Sequence, residues 1–404
     1  MPTLLQINVS ANCGSHGKIA ENIGVLAQNR GWRSVIAYGR RAYPSQNELI
    51  HIGSNINIKE HGIESRLFDN HGLASRTSTH KFIRQIDEIN PSVIHLHNIH
   101  GYYLNYRILF NYLKTKSIPT VWTFHDCWPF TGHCAYFDFE QCQLWKTGCH
   151  PPCPCKRNYP KSVFVDASSR NWTLKKNLFT SLHNITLVPV SEWLSVLLQQ
   201  SFLRDFPIQV IHNGIDLEVF NSCDDTQEMT GRYGLQNKRI VLGVANKWEE
   251  RKGLRDFIAL KKILPNNYGI IIVGVNAKQQ LSLPEGIIGI NRTQNQKELA
   301  KLYSMADIYL NLTYEDNYPT TNLEAMACGT PVLTYRTGGS PEAIDINTGW
   351  VVDQGDLSSV RDILMSMRKT KEISAYCRQR ACANFDKNTC FESYLDLYEK
   401  IKHF

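Results

Sequence analysis

The stretch from Tyr314 to Gly329, YEDNYPTTNLEAMACG, followed by Thr330-Pro331-Val332, gathers residue types suited to a phosphorylated sugar. A strand ending at Asn311 leads into a polar loop, and the pattern predicts a helix starting near Thr321 or Asn322. The start of such a helix, with Thr320, Thr321 and Asn322, offers free backbone N–H groups and a positive dipole end to a diphosphate. Glu324, expected in the first turn, is a carboxylate able to accept from two vicinal hydroxyls, as ribose presents them. Alone, a first-turn Glu is read as a complement to the helix dipole. Asp316 stands eight residues earlier at the loop mouth, beside Glu315.

A second cluster is cationic. Lys247 precedes Glu250-Arg251-Lys252-Gly253, which puts three basic side chains on one short loop. A departing nucleoside diphosphate gains negative charge, and cations aimed at it stabilise that charge. Near the amino terminus, Gly14-Ser15-His16-Gly17 opens a helix, where Gly17 lets backbone approach a phosphate or sugar. Thr123-Phe124-His125-Asp126 closes a strand. His95, His97 and His100 do not by spacing alone make a metal triad, because three ligands need converging geometry. The chain has no Asp-x-Asp element, which argues against a metal-dependent donor site.

The elements that must position these residues alternate. Strands are expected at Thr3–Val9, Arg33–Tyr38, Ser92–His97, Pro119–His125, Ile185–Val190 and Gln209–His212, with helices at about Gly17–Asn29 and Tyr103–Lys116. The rhythm restarts with strands at Arg239–Val244, Tyr268–Val273, Ile308–Asn311 and Pro331–Tyr335, and helices at Gln296–Met305 and Asn322–Cys328. Such alternation predicts parallel sheets with crossover helices, and loops at the strand C-termini build the site. The boundary falls between Asn213 and Asp225. The expected division is residues 1–212, a first Rossmann-like domain with a Cys-rich insertion at 127–161; residues 213–389, a second Rossmann-like domain; and a helix at 390–404. Phe391, Tyr394, Leu395 and Tyr398 recur at helical spacing on that helix and must pack on a core.

A chain of 404 residues is long for one core, and 42% apolar with 20% charged residues is ordinary for a soluble protein. No stretch is apolar enough to span a bilayer, and Met1 to Ser10 reads as a buried strand rather than a signal peptide. A net charge of +7 does not call for nucleic acid. Lys156, Arg157, Lys161, Arg170, Lys175 and Lys176 are interleaved with Tyr159, Phe164, Trp172 and Leu174. They form either a solvated face or a surface that leans on anionic lipid headgroups.

Of twelve cysteines, six (Cys127, Cys134, Cys142, Cys149, Cys153 and Cys155) fall within 29 residues. Cys134, Cys142, Cys149, Cys153 and Cys155 could surround one structural zinc, remain free thiols, or form disulfides. Without an export signal, metal is the stronger expectation than disulfides.

Taken together, these motifs resemble the family-four retaining glycosyltransferases of GT-B architecture: two Rossmann-like parallel-sheet domains facing a cleft, with the C-terminal helix returning to the N-terminal domain. Glu324-Ala325-Met326-Ala327-Cys328-Gly329-Thr330-Pro331-Val332 matches the second half of that family's motif, and Asp316 stands where most members have Glu. His212-Asn213-Gly214-Ile215-Asp216 is similar to the family's hinge element, and Glu250-Arg251-Lys252-Gly253 to its diphosphate-binding segment. The form of the loop at 315–320 looks like a branch engaged in bacterial surface-polysaccharide assembly. The resemblance implies His125, Lys252 and Asp316 as catalytic residues. It implies donor binding by Gly17, Lys247, Arg251, Lys252, Glu315, Asp316, Thr320, Thr321, Asn322 and Glu324, with either Glu315 or Asp316 on the donor sugar. It implies a UDP- or GDP-sugar donor, a lipid-linked or saccharide acceptor, and retention without an enzyme nucleophile or catalytic cofactor. The expected location is cytoplasmic, peripheral on the inner face of the membrane. Two rivals stand beside this reading: a sugar-nucleotide epimerase of the same architecture, and a degenerate transferase kept as a scaffold because of the Glu-to-Asp change at 316.

Overall fold

The computed structural model describes residues 1–402, which divide into two compact units, Met1–His212 with the segment from Cys390 onward, and Asn213–Thr389. The first unit contains β1 (Thr3–Ala11), α1 (Gly14–Asn29), β2 (Arg33–Ala42), β3 (Glu48–His51), α2 (Asn55–Phe68), α3 (Arg76–Ile89), β4 (Val93–Leu96), α4 (Tyr106–Lys116), β5 (Thr120–Phe124), α5 (Ser168–Phe179), β6 (Ile185–Pro189) and α6 (Glu192–Gln200). Its six strands lie in the order β3-β2-β1-β4-β5-β6, all parallel. The central strands β4 and β5 are buried at every residue because helices cover both faces of the sheet.

The second unit contains α7 (Gln227–Arg232), β7 (Arg239–Val244), α8 (Leu254–Ile263), β8 (Tyr268–Val273), α9 (Ala277–Leu281), β9 (Ile287–Ile290), α10 (Gln296–Met305), β10 (Ile308–Asn311), α11 (Thr320–Ala327), β11 (Val332–Tyr335), β12 (Gly349–Val352), α12 (Leu357–Ser366) and α13 (Lys371–Asn384). Its parallel sheet runs β12-β11-β10-β7-β8-β9. Both orders are the doubly wound pattern in which the direction of winding reverses between two central strands. That reversal lies between β1 and β4 in one sheet and between β7 and β10 in the other. Loops diverge there above the strand C-termini, and ligands bind in the gap that results.

The last helix, α14 (Lys387–Ile401), places Phe391, Tyr394, Leu395 and Tyr398 in a buried cluster with Ile19, Ile23, Val93 and Val121 of the first unit. The aromatic spacing read from the sequence is therefore core packing. One expected strand is absent. Residues 209–212 run extended beside β6, with Gln209 N donating to Leu187 O, but only Ile208 forms a bridge.

Candidate functional site

Two loops meet at the reversal point of the second sheet. After β7, a short 3-10 turn at Glu250–Lys252 leads into α8. After β10, residues 312–319 lead into α11. Gly253 joins them: it has φ +75°, and a Cβ there would collide with the carbonyl of Leu312. Only glycine lets the two loops touch. Tyr314 N donates to Arg251 O at 2.7 Å, Thr313 Oγ1 to the same carbonyl at 3.2 Å, and Arg251 Nη1 to Glu315 O at 2.7 Å. On the far side Gly338, also at positive φ, leaves room for the Asp316 carbonyl.

This stitching brings Lys252 Nζ to 2.5 Å from Asp316 Oδ2, with the two side chains 21% and 18% exposed. Burial pulls the Lys252 ammonium below its usual range, and Asp316 opposes that pull. Burial raises Asp316, but Lys252 and Arg251 outweigh it and leave the carboxyl below the ordinary carboxylate range. Glu315, the other acid, is 3% exposed and faces inward. Lys247, by contrast, is exposed on the loop after β7, and the structure gives it no ion pair among the described residues.

The helix start departs from expectation in a way that matters. α11 begins at Thr320, with Pro319 as a cap that supplies no side-chain hydrogen bond. The first-turn N–H groups of Thr320 and Thr321 are thus left without a capping side chain. Glu324 becomes the fifth residue of the helix, beyond the first turn, and the reading of it as a dipole complement falls away. Its Oε2 accepts from Tyr303 OH of α10 at 3.0 Å, so a buried tyrosine sets the direction of the carboxylate. The sequence offered no signal for Tyr303.

Asn322 is placed differently from the donor-binding expectation. Its side chain is fully buried, accepts from Asn311 Nδ2 at 2.8 Å, and donates to Ser340 Oγ at 2.9 Å. The amide is consumed in tying β10, α11 and the following turn together, because a buried amide must be paired. Gly17 has a packing role. α1 starts at Gly14, and a Cβ on Gly17 would meet Ser10 Oγ at 2.9 Å, so its bareness serves packing against β1. Gly14, at φ +70° with open space around it, is the glycine that leaves an approach free.

In the first unit, β4 and β5 deliver His97 and His125 to the C-terminal edge of the sheet. The three tempting histidines diverge. His95 bonds Thr123 Oγ1 at 2.7 Å and Tyr398 OH at 2.5 Å, His97 bonds Gln6 and His125, and His100 pairs with Asp126 at 2.8 Å.

All twelve cysteines are free thiols, and no three His, Cys, Asp or Glu among the described residues are placed to hold one metal ion. The zinc expectation for Cys134, Cys142, Cys149, Cys153 and Cys155 is therefore not carried by the geometry. The thiols do gather: Cys155 is hydrogen-bonded with Cys134 and Cys153, and Cys142 with Cys155. Cys149 Sγ accepts instead from Gly132 N at 3.2 Å, turned to a backbone donor. Burial pushes Cys149 up to about 12, while a hydrogen bond from Cys155 lowers Cys153.

Lys175 also moves from the proposed basic face to the interior. It is 1% exposed, donates to Trp128 O at 2.7 Å and Thr131 O at 3.1 Å, and lies 3.5 Å from the Trp128 ring centroid. Burial draws it down to about 7. Arg157, Lys161, Arg170 and Lys176 remain exposed, beside Phe164 at 72%.

A doubly wound pair of units, with cations and an acid at the second reversal point, defines the chain as a glycosyltransferase of GT-B architecture. Residues 19–219 match the family described as Glycosyltransferase Family 4, and residues 225–383 match Glycosyl transferases group 1. The chain belongs to the family-four glycosyltransferases. It is 24% identical, over 98% of its length and 100% of the relative's, to a protein of Escherichia coli (strain K12) provisionally named a colanic acid biosynthesis glycosyl transferase, WcaC. It is 27% identical over 48% of its length, and 53% of the relative's, to the N-acetyl-alpha-D-glucosaminyl L-malate synthase of Bacillus anthracis. Among solved structures, the sucrose-phosphate synthase of Thermosynechococcus elongatus superposes with a TM-score of 0.72 at 16% identity, covering 99% of both chains. Anabaena HepE in complex with UDP gives 0.69 at 14% identity, covering 99% of this chain and 100% of that one.

Proposed function

We propose that the protein transfers a sugar, with retention of anomeric configuration, from a UDP- or GDP-sugar to a lipid-linked or saccharide acceptor in polysaccharide assembly. The observation that carries this reading is the Lys252–Asp316 pair at the reversal point of the second sheet, flanked by the uncapped start of α11 and by Glu324. The UDP bound to HepE and the name of the E. coli relative support the donor class and the pathway.

The chemistry asked of these residues is positioning and charge stabilisation. Glu324, aimed by Tyr303, accepts from the ribose hydroxyls. The N–H groups at Thr320 and Thr321, with Lys252, Arg251 and Lys247, hold the diphosphate. The bond between the anomeric carbon and the diphosphate oxygen breaks, and its electron pair leaves on the phosphate. The acceptor oxygen forms its bond on the same face, and its proton passes to the departing phosphate oxygen. Asp316, released from Lys252 as the diphosphate takes that cation, accepts from a donor-sugar hydroxyl.

No helix among the described residues is long and apolar enough to cross a membrane. A peripheral location is supported by exposed Val163, Phe164 and Val165 next to Arg157 and Lys161. The test of the reaction is the anomeric configuration of the product by NMR, after incubation with a UDP- or GDP-sugar and acceptor extract. The configuration of the donor is expected; inversion contradicts the mechanism.

A further inference from the structure

His125 sits at the end of a directed chain of buried hydrogen bonds, and that chain can be read atom by atom. Gln6 on β1 is fully buried, and its Nε2 donates to Ala20 O of α1 at 2.8 Å. The opposite amide orientation would set Oε1 against that carbonyl, acceptor against acceptor, so the assignment is fixed by chemistry. Gln6 Oε1 therefore faces His97 Nε2 at 3.0 Å. An amide oxygen only accepts, so His97 carries its proton on Nε2. Burial holds His97 well below its usual pKa, and His95 and His16 push the same way, so the ring has that one proton and no other. Its Nδ1 is then a lone pair, 3.2 Å from His125 Nε2. His125 must donate. It too is neutral, held down by burial and by His16, His97 and His100. Its single proton is spent on His97, and Nδ1 is left bare.

We infer that Gln6 and His97 are positioning residues that lock His125 in the Nε2–H tautomer, so that it meets substrate with an unprotonated Nδ1 that accepts a sugar hydroxyl and disfavours a carboxylate. No charge within the chain overrides this. The charged neighbours that act on His125 are three further imidazoles, and the carboxylate next to it in the chain, Asp126, is engaged by His100 at 2.8 Å. Protonating Nδ1 would create a buried cation among those imidazoles. A neutral hexose hydroxyl satisfies the lone pair, whereas a uronate carboxylate at the same point sets acceptor against acceptor. What meets Nδ1 rests on the proposed transferase reading; the tautomer does not.

The experiment is long-range proton–nitrogen correlation NMR on the full chain, labelled with nitrogen-15 histidine, at pH 7.5 without ligand. The expected spectrum shows His125 protonated at Nε2 and bare at Nδ1. His97→Asn, whose amide oxygen takes the place of the ring Nδ1 as acceptor, keeps that pattern. His97→Phe, which removes the acceptor, gives mixed tautomers and lowers kcat by at least roughly tenfold while KM for the donor changes much less, as loss of a tautomer-holding partner does. A His125 protonated at Nδ1 in the unaltered protein overturns the inference, as does a tautomer unchanged in a folded His97→Phe variant. The tautomer is read in the free protein. A failure to bind any nucleotide therefore counts against the transferase reading while an Nε2–H signal still supports the inference.

Discussion

Lys252 Nζ donates to Asp316 Oδ2 at 2.5 Å, so the cation and the acid that the proposed reading assigns to the diphosphate and to the donor sugar hold each other. The pair is possible because Gly253 lets the loop after β7 lie against the carbonyl of Leu312. Neither group is buried alone, which keeps a charged lysine stable in a largely desolvated place. On the proposed reading, diphosphate binding would exchange one anionic partner of Lys252 for another and free Asp316.

Removing the cation should therefore be felt mainly in turnover. Lys252→Ala is expected to lower kcat by about 10²–10³, by analogy with loss of one donor to a developing oxyanion. Lys247→Ala, at an exposed side chain with no partner to release, should cost less. Steady-state kinetics of donor consumption checks both. Equal, near-unaltered rates would remove this loop from the site.

The buried histidines give the first unit a pH limit. Burial holds His71, His95, His97 and His125 well below 6.5 and His61 at about 4. Above about pH 6.5 these rings are neutral folded or unfolded, so they add no pH dependence. As the pH falls from there towards 4, the unfolded chain takes up protons that the folded one refuses. Stability then falls by roughly 1.4 kcal/mol per pH unit for each ring involved. Thermal melts between pH 7.5 and 4.5 should show a steepening loss below 6.5. A flat profile over that window would mean these rings titrate normally.

Lys175 holds two loop carbonyls ahead of the cysteine cluster. Lys175→Met keeps the volume of the stem but strands Thr131 O and leaves Trp128 O only the long contacts from Thr131 N and Oγ1 at 3.4 Å, and is expected to destabilise by about 1–3 kcal/mol. Denaturant unfolding measures it, and an unchanged midpoint would show that water or rearrangement satisfies both carbonyls.

The thiols differ in reactivity for a stated reason. Cys155 donates to Cys153 and lowers it, whereas burial pushes Cys149 up to about 12. Alkylation at pH 8 followed by peptide mass spectrometry should modify Cys153 before Cys149 and Cys155 within this loop, because the thiolate is the nucleophile. Modification of Cys149 first would contradict the arrangement.

Much of the fold could be read from the residues because fully buried parallel strands such as β8 and β10 are continuous apolar runs. The edge strands β3, β9 and β12 escaped notice: each is four residues long and mostly only partly buried, and although β9 (IIGI) and β12 (GWVV) are apolar, runs that short do not by themselves mark a strand. Lys252 and Asp316 were legible as types and spacing. The one- to two-residue error in the start of α11 changed the meaning of Glu324, since first-turn and fifth positions differ in what the helix dipole asks of them. Cysteine spacing showed that thiols would gather but not which way each sulfur turns. Gln6 and His97 are 91 residues apart, and no local pattern joins them.

The claim that this chain binds a nucleoside diphosphate through Glu324 is tested most directly by calorimetric titration of UDP and of GDP into the unaltered protein and into Glu324→Ala. Glu324 is an intermediate-exposure residue held by Tyr303 on the surface side of α11, so the substitution should leave the fold intact. The account predicts saturable one-site binding of one of the two nucleotides. It predicts a loss of roughly tenfold or more in affinity in the variant, corresponding to about 1.5–3 kcal/mol for a charge-assisted hydrogen bond. Binding of equal strength in both proteins, or no binding of either nucleotide to the unaltered protein, would contradict it.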